Sequence, residues 1–309
     1  MGFYLVFKKT FRDMLGIKRN VALVVLGLII PIIALGTSWN NLSNHYYMPT
    51  LSEMTQRTAD FYITFWYMWI AGVLLAATVS AGAAGFISKE VTDGTLMLVA
   101  AKPVNRWQII AGKLTALLLN IMVLLAISHL LTVLLSGLIV GMETDTLNVL
   151  LRLTPSLLLY AFIVAIFFGA VTVTLSVLLQ SRIKIVIITM SLVILTFLSG
   201  AFTRLGNPSY ETRKTISYFN PSAHMRLTYG LIYDSVSFWE IAPDTQETLD
   251  MMSGTPTYDD DTRYSRYNYT SYQDMRTTPI HPVGSLMILL ALSSGALALS
   301  VWALNRKQL

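Results

Sequence analysis

Long apolar runs almost free of charge constrain this chain more than any other feature. A helix needs about 20 mainly apolar residues to cross the hydrocarbon of a bilayer. Six runs of that kind occur, at 21–38, 61–88, 107–140, 154–179, 183–202 and 282–304. Inside them the charged side chains are only Lys113, near the start of the third, and Lys184, at the edge of the fifth. Hydrocarbon offers no partner to backbone N–H and C=O groups, so runs of this length read as helices, and Pro31 in the first is tolerated as a kink. The alternation of a membrane barrel is absent. Of the 309 residues, 54% are hydrophobic and 13% charged, against about 25% charged in soluble domains. One water-soluble core cannot absorb that excess, whereas a bilayer can.

Charge placement then sets the expected topology. Lysine and arginine gather in short connections on the cytoplasmic side of a membrane. Residues 1–20, 89–106, 180–184 and the tail after Leu304, with Lys113 at a boundary, hold thirteen basic residues. The two short connections of the other side hold only Arg57 and Arg152. Both termini are therefore expected in the cytoplasm, in a plasma-membrane protein. The 203–281 segment carries seven more basic residues, but loops of that length translocate largely regardless of charge. The +5 net charge sits beside the apolar runs and does not point to nucleic acid. No cysteine is present, so disulfides are excluded and the redox compartment is unreadable. Residues 1–20 lack the features of a secretory signal, and Val6 stands where a myristoylation signal wants Ser or Thr.

The expected organisation is all-α and polytopic. An interfacial helix spans 1–20, with Phe3, Phe7, Phe11 and Leu15 at i, i+4 spacing and Lys8, Lys9, Arg12 and Arg19 displaced from that stripe. Such a helix places rings at the acyl boundary and cations among lipid headgroups; the plainer reading is a basic flank that fixes topology. Spans one to five occupy 21–202, an extracytoplasmic loop domain 203–281, and the sixth span with its tail 282–309. In the loop domain, 218–239 reads as short helices on the membrane surface. From 255 to 276 five tyrosines and the run Asp259, Asp260, Asp261 read as an irregular solvated loop rather than a cation site. Asn41 and Asn268 begin glycosylation patterns on the correct side.

The most informative stretch is 88–113, SKEVTDGTLMLVAAKPVNRWQIIAGK. Thr92 or Asp93 can cap a helix start, residues 95–101 give under two turns, and Pro103 stops them. The result is a short helix across the cytoplasmic ends of two spans, or an ordinary polar hairpin. Glu90, Gly94, Thr95, Leu96, Ala101, Lys102, Pro103, Val104, Arg106, Gly112 and Lys113 resemble the cytoplasmic loop of permeases of the second ABC exporter type. The turn from Leu179 to Lys184, the sequence Phe219, Asn220, Pro221 with Arg226, and the basic leader are similar to that family too. The resemblance implies six helices per subunit, a dimer with an identical or a related permease, and separate ABC ATPase subunits that hold ATP and Mg²⁺. It implies ATPase coupling through Glu90, Asp93, Gly94, Thr95, Leu96, Lys102, Pro103 and Arg106. It also implies kinship with permeases such as that of the nitrous oxide reductase maturation system, some of which pass ATPase motion to an extracytoplasmic partner. The Tyr- and Asp-rich stretch is longer than the resemblance leads one to expect.

Catalysis within the chain is not expected. No phosphate-cradling G-x-x-x-x-G-K-[ST] sequence occurs, since Gly112 and Lys113 are followed by Leu114, so no cofactor is expected in this chain. The histidines at 45, 129, 224 and 281 show no metal-ligand spacing. His129 lies deep in a span, where an ionisable residue is a functional candidate by default; Ser128, Thr132 and Ser136 favour a ring held by a neighbouring helix instead. Ala81, Gly82, Ala84 and Gly85 read as a close helix contact, and Tyr62, Trp66, Tyr67 and Trp69 as an interfacial belt. Acid-free spans argue against an ion-gradient carrier, which places charge near mid-membrane. A scaffold for an extracytoplasmic partner fits the large tyrosine-rich loop.

Overall fold

A computed structural model describes residues 2–43, 50–88, 105–179, 181–202, 210–237, 239–255 and 280–306. All regular secondary structure among them is helical. Helix α1, Gly2–Met14, carries the phenylalanine stripe as a stack, with Phe3–Phe7 and Phe7–Phe11 centroids 6.3 and 5.7 Å apart. The stripe is half-buried, and Lys8, Lys9 and Arg12 are exposed. Helix α2 follows at Ile17–Ser43 with Pro31 inside it.

Helix α3, Leu51–Ala83, opens on a capping box. Thr50 Oγ1 accepts from Glu53 N at 3.3 Å, and Thr50 N donates to Glu53 Oε2 at 3.0 Å, which satisfies donors that a helix start leaves unpaired. The helix thus begins ten residues before the expected apolar run, and Glu53 and Asp60 lie within it. Its central nine residues, Trp66–Leu74, are π-helical. Helix α4 runs Arg106–Val140, also ends in a π turn at Ser136–Val140 and stops at Gly141, whose φ is 72°. Helices α5, Thr144–Arg152, and α6, Thr154–Leu178, are nearly continuous. Next come α7, Arg182–Phe202, α8, Tyr210–Phe219, α9, Pro221–Val236, α10, Pro243–Ser253, and α11, Pro282–Arg306.

Five stretches among the described residues are long and apolar enough to cross a membrane: Asn20–Asn41, Leu51–Ala83, Arg106–Val140, Thr144–Leu178 and Pro282–Arg306. The run expected at 183–202 is α7, 21 residues long. Helix α6 stands at the centre of the bundle and packs against α3, α4, α7, α9 and α11, while α2 packs at the rim against α3 and α4. Small and hydroxylated positions let the helices approach α6 closely. A Cβ on Gly169 would lie 2.9 Å from Leu114 Cδ1 and 3.3 Å from Val79 Cγ1. Thr174 Oγ1 lies 2.6 Å from the Ala296 carbonyl of α11, and Thr172 Oγ1 lies 3.3 Å from Ser80 Oγ of α3. The expected close contact at Gly82 is present: a Cβ there would meet Leu117 Cδ1 at 2.8 Å.

Two expectations change. Tyr62, Trp66 and Tyr67 are core residues, and of the supposed belt only Trp69 is exposed, at 51%. Their hydroxyl and indole groups find partners inside the bundle, which removes the usual reason for amphipathic rings to sit at the interface. Of the 218–239 stretch, residues up to 236 are helical apart from Asn220, but α9 is buried among α6, α10 and α11 rather than laid on a surface. The stretch from 256 to 276, with Asp259, Asp260, Asp261 and Asn268, lies outside the described residues.

Candidate functional site

Two polar constructions stand at opposite ends of α3. The first surrounds the break between α3 and α4. Past Ala83 the chain turns, with Phe86 N donating to Ala83 O at 3.0 Å. Ser176 Oγ of α6 accepts from Ile87 N and Ser88 N at 3.1 and 3.2 Å and donates to Ala84 O at 3.1 Å. Lys113 of α4 is buried and donates from Nζ to Phe86 O at 2.5 Å. A cation at the carbonyl end of a helix meets the negative pole of its dipole. On the far side of the break, Asn105 N donates to Gln108 Oε1 at 3.3 Å to start α4. Arg106 Nη1 donates to the Leu304 carbonyl near the end of α11. Helix α1 lies against the same region, since a Cβ on Gly112 would stand 3.2 Å from Phe3 O and Val6 Cβ.

The segment 89–104 is thus flanked by two posts, one fixed to α6 and α4 and the other to α11. Of the residues expected to couple to a partner, Arg106 is one of these posts. Glu90, Asp93, Gly94, Thr95, Leu96, Lys102 and Pro103 lie outside the described residues. Ser176 went unnoticed in the sequence because a serine in an apolar span has the same composition whether it faces lipid or binds a turn.

The second construction joins α9 and α10 to the other end of α3. Asn220 caps α9, its Oδ1 accepting from Ser222 N at 3.0 Å and from Ser199 Oγ at 3.0 Å, while Nδ2 donates to Ser253 O at 3.0 Å. Pro221 then occupies the first helical turn, where its missing N–H costs nothing. Arg226 Nε pairs with Asp250 Oδ1 at 2.9 Å, at 1% and 0% side-chain exposure. Beside them Tyr67, Tyr160 and Tyr229 come from α3, α6 and α9, with ring centroids 4.8–5.4 Å apart. Burial pushes the Tyr229 phenol well above its ordinary value. Tyr67 Oη donates to Ser222 O at 3.5 Å. Asp60 Oδ1 accepts from Ala242 N at 3.3 Å, and Gln56 Nε2 donates to Glu240 O at 3.1 Å. One face of α3 therefore grips the chain leading into α10.

His129 belongs to neither construction. Trp66 Nε1 donates to Tyr62 Oη at 2.9 Å, and Tyr62 Oη stands 2.7 Å from His129 Nδ1. His129 Nε2 stands 2.8 Å from Thr154 Oγ1, which donates to Leu151 O at 2.6 Å. The one consistent direction of donation makes the ring neutral with its proton on Nε2. Both nitrogens are occupied, as a structural ring requires. Among the described residues no group of His, Asp and Glu could hold a metal.

A helical bundle with five apolar stretches long enough to cross a bilayer among the described residues defines a polytopic α-helical membrane protein. The family model for ABC-2 family transporter proteins matches residues 4–309, and the chain belongs to that family. It is thereby a permease component of an ABC transporter. A search of curated proteins finds no match.

Proposed function

We propose that the chain is the membrane subunit of an ATP-driven exporter, worked by separate ABC ATPase subunits bound at the 89–104 segment. The observation that carries this reading is the pair of posts around that segment. A push on a loop moves spans only if its ends cannot yield. Here Ser88 is tied to α6 and Arg106 to α11, with Lys113 bracing the turn from α4. In this reading α7 is a sixth span, both termini are cytoplasmic in the plasma membrane, and 203–281 lies outside. Two permease copies, identical or related, enclose the path, with ATP and Mg²⁺ held by the ATPases and the exposed helix faces in membrane lipid. Asp60, the one acid that the long α3 brings into the bundle, is committed to Ala242, which leaves no free mid-membrane acid on this helix for an ion-driven carrier.

The test is co-purification. Glu90→Ala and Gly94→Asp are expected to lower the recovered ATPase several-fold while the permease keeps its elution volume and Tm. Normal recovery and full coupled activity in both variants would refute the docking site. A second reading, transmission of ATPase motion to an extracytoplasmic partner protein, is favoured by Phe219, which stands 84% exposed at the end of α8. Cross-linking of the intact complex from a photoreactive residue at 219 distinguishes it, since a simple exporter gives adducts to lipid alone.

A further inference from the structure

Helices close on one another where side chains of one fit between regularly spaced ridges of the next. Between α2, α3 and α4 that closure fails. Gly27 of α2 nearly touches α4, since a Cβ on it would stand 3.1 Å from Ser128 Oγ. Beside this contact the three helices part around a cleft of about 360 Å³, measured out to its open side. Its floor, at Ile70, Ile121 and Leu125, is buried. Its rim, at Leu23, Leu74, Thr78 and Leu124, is half-buried. Ile70 and Leu74 belong to the π-helical stretch Trp66–Leu74, whose wider turns break the ridge spacing that would let α2 and α4 close on α3.

The lining selects hydrocarbon. No charged side chain is among the described residues that line the cleft. Thr78 Oγ1 donates back to Leu74 O at 2.7 Å, and Ser128 Oγ to Leu124 O at 2.8 Å, so neither hydroxyl offers its proton to an occupant. A polar molecule would lose its hydration there without return. The rim is continuous with the outward faces of α2 and α4. One turn on from Leu23 and Leu124, Leu26 and Ile127 are exposed, on the surface that meets lipid. The dimensions agree. Ile70 to Thr78 runs ~12 Å along α3 at ~1.5 Å per residue, all in the half of Leu51–Ala83 nearer Ala83. The hydrocarbon of one leaflet is ~15 Å deep, so the cleft matches most of an acyl chain lying along the helices.

We propose that this cleft is a binding site for one acyl chain of a phospholipid, which stays while the surrounding lipid exchanges and completes the packing of α2 onto α3 and α4. The site does not depend on the exporter reading.

The test uses the purified full-length chain in phosphatidylcholine vesicles that include phosphatidylcholine with a photoactivatable group on its acyl chain. The protein is extracted into detergent, washed free of loose lipid and then irradiated. Adducts are expected on peptides bearing Ile70, Leu74, Ile121 and Leu125, several-fold above those on the exposed α7 residues Ile187 and Leu195. Thr78→Phe fills the cleft with a ring and strands no donor, and it is expected to abolish that excess. Leu124→Phe does the same from α4 if Thr78→Phe fails to fold. Phosphatidylcholine added to the washed, unsubstituted chain is expected to raise its Tm by binding the folded form, and the filled variants to lose that response. Adducts spread evenly over the exposed faces, or unchanged in a filled variant that folds, mark ordinary boundary lipid and overturn the site. A photoreactive residue at position 78 that joins to a second copy of the chain overturns it too, with protein in the place given to lipid. No readout involves an ATPase, so the exporter reading stands whichever way these fall.

Discussion

Gly200 shows how much can depend on one missing side chain. It lies on α7 where that helix meets the end of α10, and a Cβ there would collide with the Met252 carbonyl and stand 2.6 Å from Met251 O. Backbone cannot retreat as a flexible side chain can, so Gly200→Ala is expected to destabilise by about 2 kcal/mol or more. Gly284, in the first turn of α11, has nothing within 4 Å of its virtual Cβ. Gly284→Ala should be neutral or stabilising by up to ~1 kcal/mol through helix propensity. Thermal melts of the two variants in detergent, run side by side, check the contrast. His129 makes a matching case for polar satisfaction. His129→Leu leaves Tyr62 Oη and Thr154 Oγ1 facing apolar surface, and a loss of about 1–3 kcal/mol is expected with ATPase coupling retained. Lost coupling at an unchanged Tm would return His129 to the list of working residues.

At the scale of elements, α1 and α3 invite different experiments. The leader is held by a close approach at Gly112 and by its stacked phenylalanines. Gly112→Leu should lift α1 from α4 and speed tryptic cleavage after Lys8, Lys9 and Arg12, with the rest of the bundle intact. Unchanged cleavage would mean that the leader is held by lipid alone. The leader's existence was legible from the i, i+4 spacing of Phe3, Phe7 and Phe11. Its seat on α4 was not, because glycine at 112 has many explanations in a sequence and only a neighbouring helix selects one. Helix α3 differs again. Its apolar stretch was plain, whereas the capping box at Thr50 and Glu53 set the start ten residues earlier. The π segment left no periodicity to read, because the surrounding residues are apolar on every side.

For the whole molecule, the topology is open to direct measurement in the cysteine-free background. A thiol placed at Asp244 should react with an impermeant maleimide added to intact cells, and one placed at Lys8 should react only after the membrane is opened. The reverse pattern would invert the bundle and put the proposed ATPase site outside. Packing at this scale centres on α6. It is the most enclosed of the long helices and meets α3, α4, α7, α9 and α11; its Ser176 holds the turn that follows α3, and its Tyr160 stacks on Tyr67 in the middle of α3. A displacement of α6 therefore cannot leave α3 undisturbed.

The sequence by itself determined the helical class, the approximate limits of the apolar runs and the polar interruption at 89–106. Each follows from local chemistry: backbone groups in hydrocarbon must bond within their own helix, and charge marks where a helix leaves it. Even Asn220, Pro221 and Arg226, among the residues that carried the resemblance, stood out before their contacts did. Only the tertiary structure decided that Arg226 answers Asp250, that Ser176 and Lys113 hold the turn after Ala83, and that Tyr62, Trp66 and Tyr67 face inward. An apolar environment leaves composition nearly uniform around a helix, so which face meets protein and which meets lipid is settled by packing between distant segments and by nothing nearer in the chain.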